Sequence, residues 1–225
     1  MKLDIFTLFP EAFEWFQTQR SVTNAVAEGN ELRLINYRDT TPLTAGQVDD
    51  APYGGGAGMV LRVDVVDAAL QAAYGEGERP RIVLLSPTGP LLDDAIADEL
   101  TAEPHVALLC GRYEGFDDRV HQHLADDELS IGRYVLAGGE LPAMVVADVL
   151  MRKLPGALGH ADSAAEESFS QVLEGMPEYP HFTRPPLYRG WDVPEILLSG
   201  DHEKVRQWRL EQSRARAEQF DSDAE

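Results

Sequence analysis

The sequence has little cysteine and no long apolar run. Cys110 is the only cysteine among 225 residues, so an internal disulfide is impossible and a reducing compartment is favoured. No apolar stretch approaches the roughly 20 residues that a membrane span needs. Asp4 and Glu11 interrupt the N-terminal stretch that a secretory signal would occupy. We therefore expect a soluble, cytoplasmic protein with no membrane association.

Positive charge is also scarce. Lysine and arginine number 19 against 39 aspartates and glutamates, which gives a formal net charge of −20, and the only lysines are Lys2, Lys153 and Lys204. A protein that binds nucleic acid normally shows a basic footprint, so charge alone argues against an RNA partner. The pattern is typical either of a salt-adapted surface or of a generally acidic, solvated exterior.

Several catalytic motifs are missing as well. No G-x-G-x-x-G follows a predicted strand, no lysine lies in a G-x-x-x-x-G-K-[ST] loop, and no G-x-S-x-G is present. His121 and His123 are two apart on a predicted helix, so they face different ways and would not share a metal ion. Cys110 ends an apolar strand, where a small core residue is more common than a nucleophile. These absences argue against a dinucleotide dehydrogenase, a P-loop NTPase and a recognisable metal site.

The chain does contain a regular alternation of strand and helix patterns, which predicts an α/β fold with a parallel sheet flanked by helices. A long charged segment, "GDHEKVRQWRLEQSRARAEQ", predicts a helix in a small C-terminal domain. "SVTNAVAEG" predicts a helix capped by Ser21 and ended by Gly29. "SIGRYVLAGGELPA", residues 130–143, predicts a short apolar strand that leads into a glycine pair and then a helix from Pro142.

Three glycine-containing loops follow predicted strands, at 84–89, 110–115 and 131–142, and are called the bare loops below. Open parallel sheets bind ligands beyond the carboxyl ends of their strands. Such loops suit a ligand held largely by backbone groups, for example an adenosine-like molecule with a charged tail. The charged residues expected nearby are Glu114, Arg152, Asp162, Glu166 and Glu167.

Six longer motifs resemble the bacterial tRNA (guanine-N1)-methyltransferase TrmD family. They run in order along nearly the whole chain: "DDAPYGGGAGM" (49–59), "LLSPTG" (84–89), "LCGRYEGFDDRV" (109–120), "SIGRYVLAGGELPAM" (130–144), "LPGALGH" (154–160) and "VPEILLSGDHEKVRQWRLEQS" (193–213). The family belongs to the SPOUT methyltransferases, so the resemblance implies a C-terminal trefoil knot in the sheet domain. It also implies a knotted cofactor-binding domain over 1–158, a linker over 159–175 and a small helical tRNA-binding domain over 176–225.

The resemblance implies methyl transfer from S-adenosyl-L-methionine to N1 of the guanosine at position 37 of tRNA, next to the anticodon. It also implies a homodimer with active sites at the subunit interface, and it makes Mg²⁺ a candidate assisting ion. Matched residue by residue, the family's cofactor contacts fall on the three bare loops: Leu84, Leu85, Ser86, Pro87, Gly111, Tyr113, Glu114, Ser130, Ile131, Gly132, Arg133, Tyr134, Val135, Leu136, Gly138, Gly139 and Pro142.

The resemblance also assigns two catalytic residues. Guanine N1 carries a proton at neutral pH, so a carboxylate is needed as general base. The family has an aspartate before Ser-Phe and this chain has Glu167, whose extra methylene moves the carboxylate by roughly an ångström. Glu166 and Asp162 are the alternative bases. Arg152 is assigned to stabilise negative charge on the adjacent carbonyl oxygen; the alternative is a solvated helix end.

Two further departures from the family pattern concern the cofactor loop and the chain end. Arg133 stands where an acidic residue is expected, and the chain stops at Glu225, sooner than in longer members. The second departure puts in doubt any contacts made by a terminal extension.

Although the net charge is −20, the last helix contains a local row of arginines that could bind RNA. Arg206, Arg209 and Arg216 are three and seven apart, which places them along one face of the last helix. With Arg184 and Arg189 they predict a small surface for the anticodon stem of tRNA, within an acidic body that suppresses non-specific RNA binding.

Alternatives to this interpretation concern both residues and function. Each arginine of the last helix fits equally well a helix face with salt bridges to Glu203 and Glu211. Asp50 is a separate candidate, for binding a base next to the target guanosine. A SPOUT methyltransferase acting on another RNA site would lack the 49–59 segment and the C-terminal helix. A non-enzymatic adenosine-binding module would lack Arg152 and the linker acids. The chain has all of these features, which favours the guanine-N1 methyltransferase.

Overall fold

The computed structural model describes residues 1–158 and 167–224. The chain divides into two compact units, Met1–Gly159 and His160–Glu225, and each is considered by itself. Asp162 and Glu166, the alternative bases, lie outside the described residues.

The first unit is built on a parallel sheet with helices on both faces. Its elements in chain order are β1 (Lys2–Thr7), α1 (Glu14–Gln17), α2 (Arg20–Ala27), β2 (Glu31–Asn36), β3 (Asp49–Asp50), β4 (Val60–Leu61), α3 (Val63–Tyr74), β5 (Arg81–Leu85), α4 (Asp94–Ala102), β6 (His105–Leu109), α5 (Asp118–His123), β7 (Asp127–Leu129) and α6 (Glu140–Lys153). Five strands form the sheet in the order β2-β1-β6-β5-β7, and all their pairings are parallel. β3 and β4 form a separate antiparallel pair. The predicted α/β sheet is confirmed.

The central strands are nearly continuous apolar runs because both of their faces are covered. On one face, Ile5 of β1 belongs to a buried cluster that includes Leu150 of α6. On the other face, Phe6 and Leu84 belong to a second cluster with Val66 of α3. Alternate residues of one strand therefore contribute to two separate cores.

One buried carboxylate interrupts this apolar interior. Asp4 accepts hydrogen bonds from Arg33 at 2.6 and 2.9 Å and from the Tyr74 hydroxyl at 2.8 Å, and it lies 2.9 Å from a His105 ring nitrogen. Burial by itself would raise the pKa of Asp4, but the hydrogen bonds from these partners hold that pKa below its ordinary value. The charge of Asp4 is therefore paired within the sheet, where β1 lies between β2 and β6.

The start of α2 differs from the prediction. The helix begins at Arg20 with Gln19 in the capping position, and neither Gln19 nor Ser21 caps it with a side chain. Ser21 instead donates a hydrogen bond to Asp148 of α6 at 3.3 Å. The predicted serine cap is wrong because a tertiary contact takes the hydroxyl, while Gly29, with φ near 90°, follows the helix end as predicted.

The segment that follows β7 also differs from the prediction. The strand is Asp127–Leu129, whereas 130–139 form an irregular loop and α6 begins at Glu140 rather than at Pro142. The Ser130 hydroxyl accepts a hydrogen bond from the Gly132 backbone N–H at 3.2 Å, which turns the chain away from the sheet direction. Pro142 is tolerated because the first turn of a helix needs no N–H donor.

The second unit combines a hairpin with helices. Its elements are β8 (Leu187–Tyr188), β9 (Trp191–Asp192), α7 (Glu195–Leu198) and α8 (His202–Ala224). β8 and β9 are antiparallel, and α8 is the predicted C-terminal helix. The Arg209 guanidinium lies 4.6 Å from the centroid of the Tyr179 ring, and Arg216 donates to the Glu178 carbonyl at 2.7 Å. These contacts hold the 178–179 segment against α8.

Among the helices that the structure describes, none combines the length and the apolar character needed to span a bilayer.

Candidate active site

A cleft of about 320 Å³ opens at the carboxyl ends of β5, β6 and β7. Three chain segments line it: 85–87, 111–115 and 129–139, with Pro142 at the start of α6. These segments match the predicted bare loops, and every predicted cofactor residue except Leu84 and Arg133 lies in the lining. The structure therefore brings together three stretches that are far apart in the sequence, as the rule for parallel sheets predicts.

The two exceptions have different causes. Leu84 is 4% exposed, and its side chain belongs to the core cluster that contains Phe6 and Val66. Arg133 is exposed on the loop after β7 and does not line the cleft. A role for either residue in cofactor binding therefore does not follow from side-chain position.

The glycine pair of "LAGGELP" allows two loops to touch through their backbones. Gly139 donates a hydrogen bond to the Gly111 carbonyl at 2.8 Å. A Cβ at position 139 would lie 2.7 Å from both Cys110 Cα and Gly111 N, and a Cβ at position 138 would overlap the Arg112 side chain. Since backbone atoms cannot move aside as a side-chain end can, the cleft requires glycine at 139.

A turn at the other end of the same loop is closed by its own tyrosine. Tyr134 donates from its hydroxyl to the Ile131 carbonyl at 3.2 Å, and its ring occupies the space that a Cβ on Gly132 would need. The Ser130 hydroxyl donates to the Gly132 carbonyl at 3.0 Å. Local contacts therefore shape the loop before any ligand is considered.

The 49–59 motif reaches the cleft through Glu114. The Glu114 N–H donates to the Met59 carbonyl at 2.9 Å, and a Cβ on Gly58, whose φ is near 84°, would overlap the Glu114 side chain. The glycine-rich motif therefore supports a carboxylate at the cleft. A mostly apolar, backbone-rich lining with one carboxylate fits an aromatic base that carries a cationic tail.

Arg112, which lines the cleft, forms an ion pair with the buried Glu140 that no sequence motif assigned. Arg112 Nε lies 2.9 Å from Glu140 Oε2, and the Thr7 hydroxyl donates to Glu140 Oε1 at 2.8 Å. The Arg112 guanidinium lies 4.4 Å from the Phe9 ring centroid and donates to the Ala137 carbonyl at 3.3 Å. This network joins β1, the 111–115 loop and the start of α6. An acid directly after two glycines at a helix start was the available sequence signal.

Cys110 lies behind the cleft and is fully buried. Burial raises the pKa of its thiol far above the ordinary value, so the thiolate is not populated at neutral pH. This supports the interpretation of Cys110 as a small core residue rather than a nucleophile.

The two predicted catalytic residues belong to different units. Arg152 lies in the last turn of α6, next to Lys153, which pairs with Asp94 at 2.6 Å and Asp98 at 2.7 Å. Glu167 is half-buried in the second unit, where its carbonyl accepts from the Ser170 N–H at 3.1 Å. Their roles as charge stabiliser and base stay predictions.

Asp50, Arg206 and Arg209, three of the residues predicted to contact tRNA, each make a contact within the protein. Asp50 is exposed and lies 3.1 Å from Arg62. Arg206 pairs with Glu203 at 2.8 Å, so for this residue the salt-bridge alternative is observed. Arg209 is partly buried against Tyr179. The Arg206 side chain stays 76% exposed despite its ion pair, whereas the Arg209 guanidinium is partly covered by the Tyr179 ring.

Within residues 1–158 and 167–224, no group of three or more histidine, cysteine, aspartate or glutamate side chains is placed to hold a metal ion.

Comparisons with known proteins match the chain to one family over nearly its whole length. The family model described as tRNA (Guanine-1)-methyltransferase TrmD matches residues 1–224. The tRNA (guanine-N(1)-)-methyltransferase of Brevibacillus brevis is 47% identical over 215 residues, which cover 95% of this chain and 86% of the relative. The enzyme of the same name from Pelotomaculum thermopropionicum is 50% identical over 216 residues, which cover 95% and 85%.

A solved structure is also similar. The crystal structure of tRNA (m1G37) methyltransferase from Aquifex aeolicus has a TM-score of 0.78 to this chain at 33% sequence identity, and the match covers 99% of this chain and 92% of that one.

Proposed function

The chain belongs to the tRNA (guanine-1)-methyltransferase TrmD family, a methyltransferase family that uses S-adenosyl-L-methionine, and we propose that it methylates N1 of guanosine 37 in tRNA. The observation that carries the proposal is the cleft in which three separate family motifs meet. We assign the cofactor-binding domain to 1–158, the linker to 159–175 and the tRNA-binding domain to 176–225. We also place the enzyme in the cytoplasm, because its substrate is tRNA.

The cofactor is held in this proposal by the backbone of the three loops. The apolar lining formed by Leu85, Leu129 and Ile131 would hold the adenine ring, and backbone N–H and C=O groups of the loops would bind its edge. Glu114 supplies a carboxylate for the positive charge of the methionine end. When bound, S-adenosyl-L-methionine supplies an activated methyl group.

The chemistry assigned to the protein is the removal of one proton and the stabilisation of one charge. The Glu167 carboxylate accepts the N1 proton of guanine, and the N1 electron pair then forms a bond to the methyl carbon as its bond to sulfur breaks. The sulfur leaves as a neutral thioether. Arg152 donates hydrogen bonds to the guanine O6, where negative charge grows as the proton departs. The target base leaves its stack to reach the cleft.

A homodimer is part of the proposal, and the surface of the first unit supports it. Val135 on the cleft loop is 85% exposed, and Leu141 and Val145, one helical turn apart on α6, are also exposed. Apolar side chains in this arrangement favour cover by a second copy. Mg²⁺ stays in the proposal as an assisting ion, and titration of the methylation assay with a chelator tests it.

The deciding experiment supplies labelled S-adenosyl-L-methionine and two tRNA transcripts that differ only in guanosine or adenosine at position 37. We expect label only in the guanosine transcript. Equal labelling of both would instead favour a SPOUT methyltransferase acting on another RNA site, and labelling of neither would contradict the proposal.

A further inference from the structure

The β8–β9 hairpin displays two aromatic side chains on its surface. Tyr188 and Trp191 face each other across the strand pair, and they are 50% and 69% exposed. Their ring centroids are 5.8 Å apart with the planes tilted by 59°. The Arg189 guanidinium lies 5.2 Å from the centroid of the Tyr188 ring. Three planar groups are therefore collected at the tip of one hairpin.

The hairpin backbone holds these groups in a defined arrangement. Arg189 and Gly190 occupy the two turn positions with φ near 54° and 85°, the combination that a tight turn between twisted strands requires. The Val193 N–H donates to the Pro186 carbonyl at 2.9 Å and closes the base of the hairpin. A short, closed hairpin loses little conformational freedom when its side chains bind a partner.

The charge around the hairpin differs from that of the chain as a whole. Residues 179–191 contain two arginines, Arg184 and Arg189, and no aspartate or glutamate, within a chain of net charge −20. The hairpin has one exposed acid, Asp192, at the end of β9 away from the turn. RNA phosphates are repelled by most of an acidic surface, so a stretch that lacks acids and carries arginine is where an RNA strand can approach.

We propose that Tyr188, Arg189 and Trp191 form a stacking surface for an unpaired base of the tRNA substrate. Aromatic rings and arginine planes are the groups on which unstacked bases rest, and such stacking needs no particular base identity. The inference rests on the proposed function only for the identity of the partner. It adds Tyr188 and Trp191 to Arg189, which the sequence had already placed among the tRNA-binding arginines.

The direct test uses tryptophan fluorescence of the full-length protein. The chain has three tryptophans, Trp15, Trp191 and Trp208, so the double substitution Trp15→Phe and Trp208→Phe leaves Trp191 as the only one. We expect a synthetic RNA hairpin with the anticodon stem and loop sequence to quench its emission, and a fully paired RNA duplex of the same length to quench it far less. Unchanged emission at saturating RNA hairpin, or equal quenching by the duplex, would overturn the proposal.

Substitutions at the hairpin give a second readout. Trp191→Ala should weaken binding of the RNA hairpin by about tenfold, while Trp191→Phe keeps a ring and restores most of the affinity. Leu198→Ala is the matched control, because Leu198 is an exposed apolar residue of the same unit on α7. Affinity for S-adenosyl-L-methionine should be unchanged in all three variants. An equal loss in Trp191→Ala and Leu198→Ala would mean a general structural effect and would overturn the proposal.

Light scattering on the same variants examines the competing occupant, a second copy of this chain. If Trp191→Ala changes the oligomeric state and leaves RNA affinity intact, the surface is a protein interface and the proposal is wrong. Failure here is distinguishable from failure of the proposed function, because fluorescence and RNA affinity are measured without methylation.

Discussion

The cleft loop 130–139 and the hairpin 187–192 contain the same neighbouring residue types, in "GRY" and "YRG", and use them in opposite ways. In the cleft loop, Tyr134 folds back onto Gly132 and the loop is fastened by backbone contacts. In the hairpin, Tyr188 instead contacts the planar side chains of Arg189 and Trp191. Both tyrosines are about half exposed, so the difference between the two segments lies in what each tyrosine contacts: its own loop backbone in one case and two planar side chains in the other.

The difference follows from what each region is proposed to bind. A small cofactor of constant shape is held by backbone groups in a cleft, where a side chain would fill the space it needs. A long polyanion is contacted at the surface, where planar side chains cover exposed bases. Cofactor binding and RNA binding should therefore be separable by mutation.

The largest loss of turnover is expected outside both regions, because neither contains the proposed general base. Glu167→Gln removes the proposed proton acceptor, and we expect turnover to fall by about 10² to 10⁴. Single-turnover methylation measures this loss. Calorimetry should show that the affinities for cofactor and RNA are the same as in the unmodified protein. Glu167→Asp is the control that keeps a carboxylate. Full turnover in Glu167→Gln would transfer the role to Glu166 or Asp162.

Gly139→Ala should damage the cleft without touching the hairpin. The added methyl group meets the backbone of Cys110 and Gly111 at 2.7 Å, so the loop must shift, and a shift of about an ångström costs about a hundredfold in turnover. RNA affinity should be unchanged. Gly111→Ala, whose Cβ meets only the Phe116 ring at 3.0 Å, should lose less. Equal losses in the two variants would show that backbone proximity is not the cause.

Glu140→Ala tests whether the network of Arg112, Glu140 and Thr7 stabilises the fold next to the cleft. It removes the carboxylate that forms an ion pair with Arg112 and accepts from the Thr7 hydroxyl, and we expect the free energy of unfolding to fall by about 3 kcal/mol. Denaturant unfolding measures this. Thr7→Val removes one neutral donor and should cost about 1 kcal/mol. A loss no larger than that of Thr7→Val would contradict a supporting role for the ion pair.

The smallest effect among the main variants, leaving controls aside, concerns Asp4, the buried carboxylate of β1. Because its pKa in the folded protein lies below the ordinary value of 3.8, its charged form stabilises the fold above about pH 4, and this stabilisation is lost as pH falls through the folded-state pKa. Asp4→Asn should therefore lower stability at neutral pH by about 1.5 kcal/mol, the scale of a hydrogen bond to a charged group. The gap between the two proteins should close in acid. A gap independent of pH would refute this account.

Much of the first unit was predictable because its strands and helices follow simple burial patterns. β5, "RIVLL", is almost wholly buried, and such apolar runs predicted strands correctly. The short apolar strand predicted at the start of "SIGRYVLAGGELPA" (130–143) was wrong, because Tyr134, Val135 and Leu136 are exposed at the cleft instead of pairing in the sheet. Arg112 and Glu140 were missed because their pairing joins residues 28 positions apart, which no local pattern reveals.

The sequence by itself determined the alternation of elements, the family and the three loops that line the cleft, because apolar periodicity and long motifs are properties of neighbouring residues. Only the tertiary structure decided the path of 130–139, the close approach of Gly139 to Gly111, and the exposure of Tyr188 and Trp191. Each of these depends on which distant backbone comes within contact distance, and packing of the whole unit sets that distance.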